Sequence, residues 1–167
     1  MMDPIDLVLA IIYFAGGKID GRTKIQKIAY FINEKFDCKI TFIPHYYGPY
    51  STSIAKTLED LVATDFVEEE ALITLNDRKF FMYRIKDGVK NILEQNKELY
   101  KFKTLVERLA NENLNNVINA SKVHYLYKNS NNKDSNFLIE EAKKYGWNLS
   151  QNEVNDSLIL LNELELI

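Results

Sequence analysis

The stretch Phe42–Val67, FIPHYYGPYSTSIAKTLEDLVATDFV, decides the fold reading of this chain. An aromatic run, His45-Tyr46-Tyr47, meets Gly48-Pro49 and stops there. Proline fixes its own φ and pushes the preceding residue out of the helical region, so no helix runs through this point. Ser51 then supplies an N-cap, with Thr52 and Ser53 in the first turn of a new helix. Ile54, Leu58, Leu61 and Val62 recur at the helical period, which predicts a helix over about 51–63 with one apolar face. Asp65-Phe66-Val67 leads out into strand-like sequence.

Upstream, Asp3-Pro4 opens a helix, with Asp3 as cap and Pro4 at its first position, and Gly16-Gly17 closes it. Leu7 to Ile12 and Phe14 are apolar nearly all round, the mark of a helix buried on most sides. Ile19-Asp20-Gly21 reads as a short connection to a second helix over about 22–36. Ile25, Ile28, Ala29, Ile32 and Phe36 form its inner stripe; Thr23, Lys27 and Glu34 fall opposite, flanked by Tyr30 and Phe31. These two aromatics either pack under a neighbouring element or belong to a partner surface. A short strand is expected at Lys39–Phe42.

Downstream, Phe66–Leu75 and Arg78–Ile85 are β-rich runs around the polar Asn76-Asp77, which predicts a hairpin. Three helices and a hairpin in about 85 residues is the order of a winged helix-turn-helix. The ending Tyr83-x-Ile85-x-x-Gly88 fits that reading. From Val89 to about Tyr127 the pattern is helical, with a break near 111–116. The polar KNSNNKDS at 128–135 is a loop. Phe137–Tyr145 is a short helix stopped by Gly146, and Ser150-x-x-Glu153 is a capping box for a last helix carrying Val154, Leu158, Leu161 and Leu164. The expected fold is therefore mainly α with a small β-hairpin (α+β). It comprises a winged helix-turn-helix over 1–88 and a helical C-terminal extension over 89–167 packed on it.

Bulk composition excludes several classes. The 167 residues carry a net charge of −3, without the basic excess of a dedicated nucleic-acid binder. Cys38 is the sole cysteine, and with His45 and His124 it makes too few soft ligands for a zinc site. The apolar run Leu7–Ala15 is too short to span a membrane and lacks the charge of a signal peptide, so a cytoplasmic protein with no membrane partner is expected. No Gly-rich phosphate loop, metal-ligand spacing or nucleophile elbow is present, which argues against an enzyme and against a bound cofactor. His124 reads as a satisfied packing histidine. Glu68-Glu69-Glu70 reads as a solvated strand edge.

Lys24-Ile25-Gln26-Lys27-Ile28-Ala29-Tyr30-Phe31, followed by Phe42-x-x-x-x-Tyr47-Gly48-Pro49-Tyr50-Ser51, resembles the Panacea domain family and related small winged-helix-like proteins of bacteria and archaea. The resemblance is best over about 5–90. It implies antitoxin or adaptor activity: binding a partner protein, such as a toxin, and neutralising it or presenting it for degradation. Lys24, Lys27, Tyr30, Tyr47, Gly48 and Pro49 are the matching positions, and the resemblance supplies no catalytic residue. With Phe31, Tyr46 and Tyr50 they make the candidate partner-binding set, since tyrosine is enriched in binding hot spots and Pro49 pre-orders the turn. One tyrosine, Tyr47, is expected to pack the turn onto the first two helices.

The rival reading is a transcriptional regulator that binds double-stranded DNA. A recognition helix enters the major groove while Arg and Lys grip phosphates. The third helix presents Thr52, Ser53, Lys56, Glu59, Asp60 and Ala63 outward, and only its first turn, Ser51 to Lys56, suits DNA. Arg22, Lys24 and Lys27, and Arg78 and Lys79 at the wing tip, would have to add phosphate contacts, and a homodimer would double them. A continuous positive strip along these residues would favour DNA over a protein partner.

Overall fold

The computed structural model describes residues 2–167. Helix α1 (Pro4–Phe14) starts where Asp3 accepts a hydrogen bond from the Ile5 N–H at 2.9 Å, and Leu7 to Ile12 and Phe14 are buried around its whole circumference. Gly16 and Gly17 take φ of +105° and +87°, turning the chain sharply into β1 (Lys18–Asp20). The expected connection at Ile19-Asp20 is thus a strand: it pairs antiparallel with β5. Helix α2 (Arg22–Phe36) follows, ending at Asp37 in the left-handed region. Lys39 is left-handed as well, at φ +64°. A left-handed Lys39 breaks the extended backbone that a strand at 39–42 would need, and the strand forms later.

It forms as half of a small hairpin absent from the sequence reading. β2 (Ile43–His45) pairs antiparallel with β3 (Gly48–Tyr50), with His45 opposite Gly48 and Ile43 opposite Tyr50. Tyr46 and Tyr47 are its two-residue loop; Gly48 takes the positive φ, +106°, that closes it. Helix α3 (Thr52–Ala63) then begins as expected, with the Ser51 hydroxyl accepting from the Ile54 N–H. β4 (Val67–Ile73) and β5 (Lys79–Ile85) form the expected longer hairpin, and the sheet order is β1-β5-β4, all antiparallel.

The remaining chain is helical: α4 (Asp87–Gln95), a 3₁₀ segment (Lys97–Phe102), α5 (Lys103–Ala110), α6 (Leu114–Lys128), α7 (Ser135–Lys143) and α8 (Gln151–Glu163). The capping box of Ser150 with Glu153 is formed, and Gly146 at φ +74° ends the α7 region. Helix α6 lies between α2 and α8, against the β2–β3 hairpin. The molecule is mainly helical with small antiparallel sheets. Its buried side chains form one hydrophobic cluster running from Leu7 on α1 to Leu164 beyond α8. Among the described residues no helix is long and apolar enough to cross a membrane.

Candidate functional site

The β2–β3 hairpin is tied down at its root from three sides. From α2, the Gln26 carboxamide pairs with the Ser51 backbone in both directions: its Nε2 donates to the Ser51 carbonyl at 2.8 Å, and the Ser51 N–H donates to its Oε1 at 2.9 Å. The Lys27 ammonium donates to the Pro49 carbonyl at 2.7 Å. From the far end of the chain, the Trp147 indole N–H donates to the His45 carbonyl at 2.8 Å. From α6, Gly48 is pressed so closely that a Cβ there would meet Ser121 Oγ at 2.9 Å and Lys122 Cγ at 3.2 Å. The Tyr-Gly-Pro turn therefore needs glycine twice, for its φ and for the close approach.

Lys27 is the most unusual group here. It is 2 % exposed, and burial pushes its pKa down to about 7, with the positive charge of Lys122 adding to the effect. One turn further along α2, the Tyr30 hydroxyl lies 2.7 Å from His124 Nδ1. Burial lowers the His124 pKa to about 4, so the ring is neutral at physiological pH and shares this hydrogen bond with the tyrosine as an uncharged group. Phe31 is buried beside the same pair, its ring 5.4 Å from Tyr30 and 6.2 Å from His124. Lys24 donates to the carbonyls of Ala110 at 2.7 Å and Glu112 at 2.8 Å, satisfying the C-terminal end of α5. The histidine expected to be packed and satisfied is so.

The candidate partner-binding residues thus divide. Lys27, Tyr30 and Phe31 are not on the surface, because α6 packs on α2 as well and the middle of the helix, residues 25–32, is buried all round. Gly48 and Pro49 are buried at the hairpin root, and Tyr50 is half-buried, its ring stacked on His45 at 4.9 Å. Tyr46 and Tyr47 project, at 73 % and 53 % exposure, with Ile43 exposed alongside. Tyr47, expected to pack the turn onto the first two helices, is instead 53 % exposed, its ring edge-to-face with that of Tyr46.

The basic residues do not form an open strip. Arg22 donates through Nε to the Tyr83 hydroxyl at 2.7 Å and pairs with Glu69 at 3.3 Å. Lys56 pairs with Asp60 one turn along α3 at 3.0 Å. Ser51 is spent on the helix cap, while Thr52 and Ser53 are exposed. Arg78 stands exposed at the β4–β5 turn, and Lys79 lies over the Phe81 ring at 5.3 Å. Glu68, Glu69 and Glu70 line the neighbouring strand.

Sequence reasoning missed Gln26, Ser121 and Trp147. Gln26 sat inside the quoted α2 motif and carried a signal, being a polar residue between apolar neighbours. Ser121 and Trp147 lie far along the chain and carried none. Among the described residues no three His, Cys, Asp or Glu side chains converge as metal ligands. Cys38 is buried, and burial pushes its thiol pKa up, away from the reactive thiolate. No family model matches the chain, and no curated protein matches it.

Proposed function

We propose that the chain is a non-enzymatic, antitoxin- or adaptor-like module that binds a partner protein through the β2–β3 hairpin. The observation that carries this reading is the pair of projecting tyrosines on a hairpin tied from α2, α6 and Trp147. Exposed tyrosines on a pre-ordered support supply contact area at low entropy cost. The order of elements up to β5 and the sheet order β1-β5-β4 support a winged helix for the first half. The likeness of the Lys-Ile-Gln-Lys and Tyr-Gly-Pro stretches to the Panacea family supports the antitoxin-like assignment. The pairing of Arg22 and Lys56 with acids weighs against duplex DNA as the main partner, since each neutralised base removes a phosphate contact.

The test uses wild-type protein and a Tyr46→Ser/Tyr47→Ser variant as baits in extracts of the native host. A protein retained by the wild type and lost by the variant, with unchanged thermal stability of the bait, is the expected result. In parallel, fluorescence anisotropy is measured on duplex DNA from the gene's own upstream region and on a scrambled duplex. Sequence-preferring DNA binding at physiological salt, unaffected by the tyrosine substitutions, would replace this reading with the regulator.

A further inference from the structure

The β4–β5 hairpin leaves one edge of its sheet open. The sheet order is β1-β5-β4, so β4 is an edge strand. Hydrogen bonds at its two ends fix which of its backbone groups face outward. The Thr74 N–H donates to the Arg78 carbonyl at 2.9 Å, and the Lys86 N–H donates to the Phe66 carbonyl at 3.2 Å. Bonded and non-bonded pairs alternate along an antiparallel ladder, so Glu68, Glu70 and Leu72 are the residues bonded to β5. The N–H and C=O groups of Glu69, Ala71 and Ile73 point away from it. Among the described residues no backbone group takes them up. The strand is at the surface here: Glu68 to Ala71 are all exposed, and Ile73 is 73 % exposed.

Charge is divided along this hairpin. Its base carries Glu68, Glu69 and Glu70. Its tip carries Arg78 and Lys79, both exposed and neither in an ion pair among the described residues. Antiparallel pairing of β4 with itself brings the acidic base of one copy to the basic tip of the other, twice by symmetry. The glutamates also select the register. A twofold axis at Glu69 or Glu70 sets like charges directly opposite each other, which is destabilising. An axis at Leu72 leaves Glu69 beyond the ladder. An axis at Ala71 avoids both faults: Ala71 faces Ala71, Glu70 faces Leu72, Glu69 faces Ile73 and Glu68 faces Thr74. In that register the outward groups of 69, 71 and 73 meet those of 73, 71 and 69.

We propose that β4 pairs antiparallel with β4 of a second copy of this chain about an axis at Ala71, joining the two three-stranded sheets into one. On the face that holds Glu68, Arg78 flanks Thr74, its N–H donating to the threonine hydroxyl at 3.1 Å. Thr74 lies opposite Glu68 of the other copy. Two strand spacings, about 10 Å, separate the arginine and glutamate backbones, and their two side chains together span this across the short threonine. On the other face Lys79 pairs with Ile73 on β4 and is placed in the same way toward Glu69 of the other copy. An interface of one strand edge is small, so the association is weak and concentration-dependent. The edge is separate from Tyr46 and Tyr47, and pairing here does not depend on the partner proposed for the β2–β3 hairpin.

The experiment is sedimentation velocity of the full chain from about 10 µM to about 1 mM, with amide hydrogen exchange at both ends of the range. The expected result is a monomer–dimer equilibrium in which the amides of Glu69, Ala71 and Ile73 exchange fast in the dilute sample and slowly in the concentrated one. Those of Glu68, Glu70 and Leu72, bonded to β5, should stay slow in both. Proline is tolerated in an edge strand where its missing N–H faces solvent, so Ala71→Pro removes the donors at the axis and should raise the dissociation constant at least tenfold. Arg78→Glu should raise it about fivefold, and it tests the pairing independently of any effect of proline on β4. Lys144→Glu, the same change of charge at the end of α7, which packs on α6 and α8, should leave it unchanged. A monomer at every concentration, a dimer whose amides at 69, 71 and 73 stay fast, or equal weakening by Arg78→Glu and Lys144→Glu would each overturn the proposal.

Discussion

Replacing Lys27 by Met should stabilise the protein at pH 6 and do so less and less as pH rises. The ammonium is held at 2 % exposure with its pKa lowered from 10.5 to about 7, principally by burial. The folded state therefore disfavours the charged form by a difference of 10.5 − 7, or 3.5 units, which is about 5 kcal/mol. The sign follows from proton binding. Between pH 7 and 10.5 the unfolded chain holds the proton more tightly, so wild-type stability rises with pH across that window. The full deficit is present below pH 7. Methionine fills the same space without charge but leaves the Pro49 carbonyl without its donor, a loss of about 1–3 kcal/mol. The net expectation is a gain of about 2–4 kcal/mol at pH 6. At pH 9.5, with one unit of the window left, the gain falls to about zero or reverses. Lys24 also has a pKa lowered by burial, but it is common to both proteins and cancels in the difference; Lys122, whose charge opposes that of Lys27, is relieved by the same substitution and adds to the gain at low pH. Urea unfolding of both proteins between pH 6 and 9.5 measures it. A difference in stability that stays constant across this range would refute the claim that the buried ammonium is what the substitution relieves.

His124 carries a second pH dependence, on the acid side: its pKa is lowered from 6.5 to about 4, so stability present above 6.5 is lost as pH falls toward 4, by about 3 kcal/mol. His124→Gln should flatten that limb in the same unfolding series. Gly48→Ala should cost about 2–4 kcal/mol, read as a fall in Tm, because it combines left-handed strain with a Cβ 2.9 Å from Ser121 Oγ. Trp147→Phe should cost about 1 kcal/mol overall and should accelerate amide exchange at residues 43–50, where the indole bond to His45 is lost. Truncation after Glu112 removes α6 and α8, exposing Tyr30 and Phe31 at about 1.5–3 kcal/mol each, against a total stability of about 5–15 kcal/mol. The truncated chain should show no cooperative thermal transition by circular dichroism.

Local chemistry was legible in the sequence wherever it was self-contained. Asp3-Pro4, Ser51 and the Ser150/Glu153 box each start the helix they announce, because a cap is satisfied by groups two or three residues away. The β4–β5 hairpin was legible for the same reason. The β2–β3 hairpin was not: three residues per strand are too few for a pattern, and Pro44 and Pro49 facing each other speak against a ladder. It persists because other elements supply its bonds, chiefly Gln26 and Lys27 on α2. β1 is equally short and exists through pairing with β5, more than sixty residues away.

In the sequence the candidate set reads as one surface, and the burial of part of it follows a single physical rule. Lys27 falls opposite the apolar stripe of α2, where periodicity assigns a residue to solvent, and the flanking Tyr30 and Phe31 are open in the sequence between packing under a neighbour, which the structure shows, and a partner surface. That inference holds for a helix with one packed face. Helix α2 has two, and its second face meets α6 through polar side chains as well as apolar ones. A buried lysine is stable there because Pro49 offers a carbonyl, and a buried tyrosine because His124 offers a ring nitrogen. Neither partner can be inferred from the α2 sequence, since one lies 22 residues away and the other 94. The same seam carries the position of the exposed tyrosines. Lys27 holds Pro49, Ser121 bounds Gly48, and Trp147 holds His45, so the packing of α6 and of the chain beyond it sets where Tyr46 and Tyr47 point. Under the proposed function, a substitution buried in the seam is expected to weaken partner binding without touching the partner, by loosening the hairpin, whereas Tyr46 and Tyr47 substitutions would act at the proposed contact itself. Amide exchange at 43–50 separates the two kinds: faster in the seam variants, unchanged at the hairpin root in the tyrosine variants.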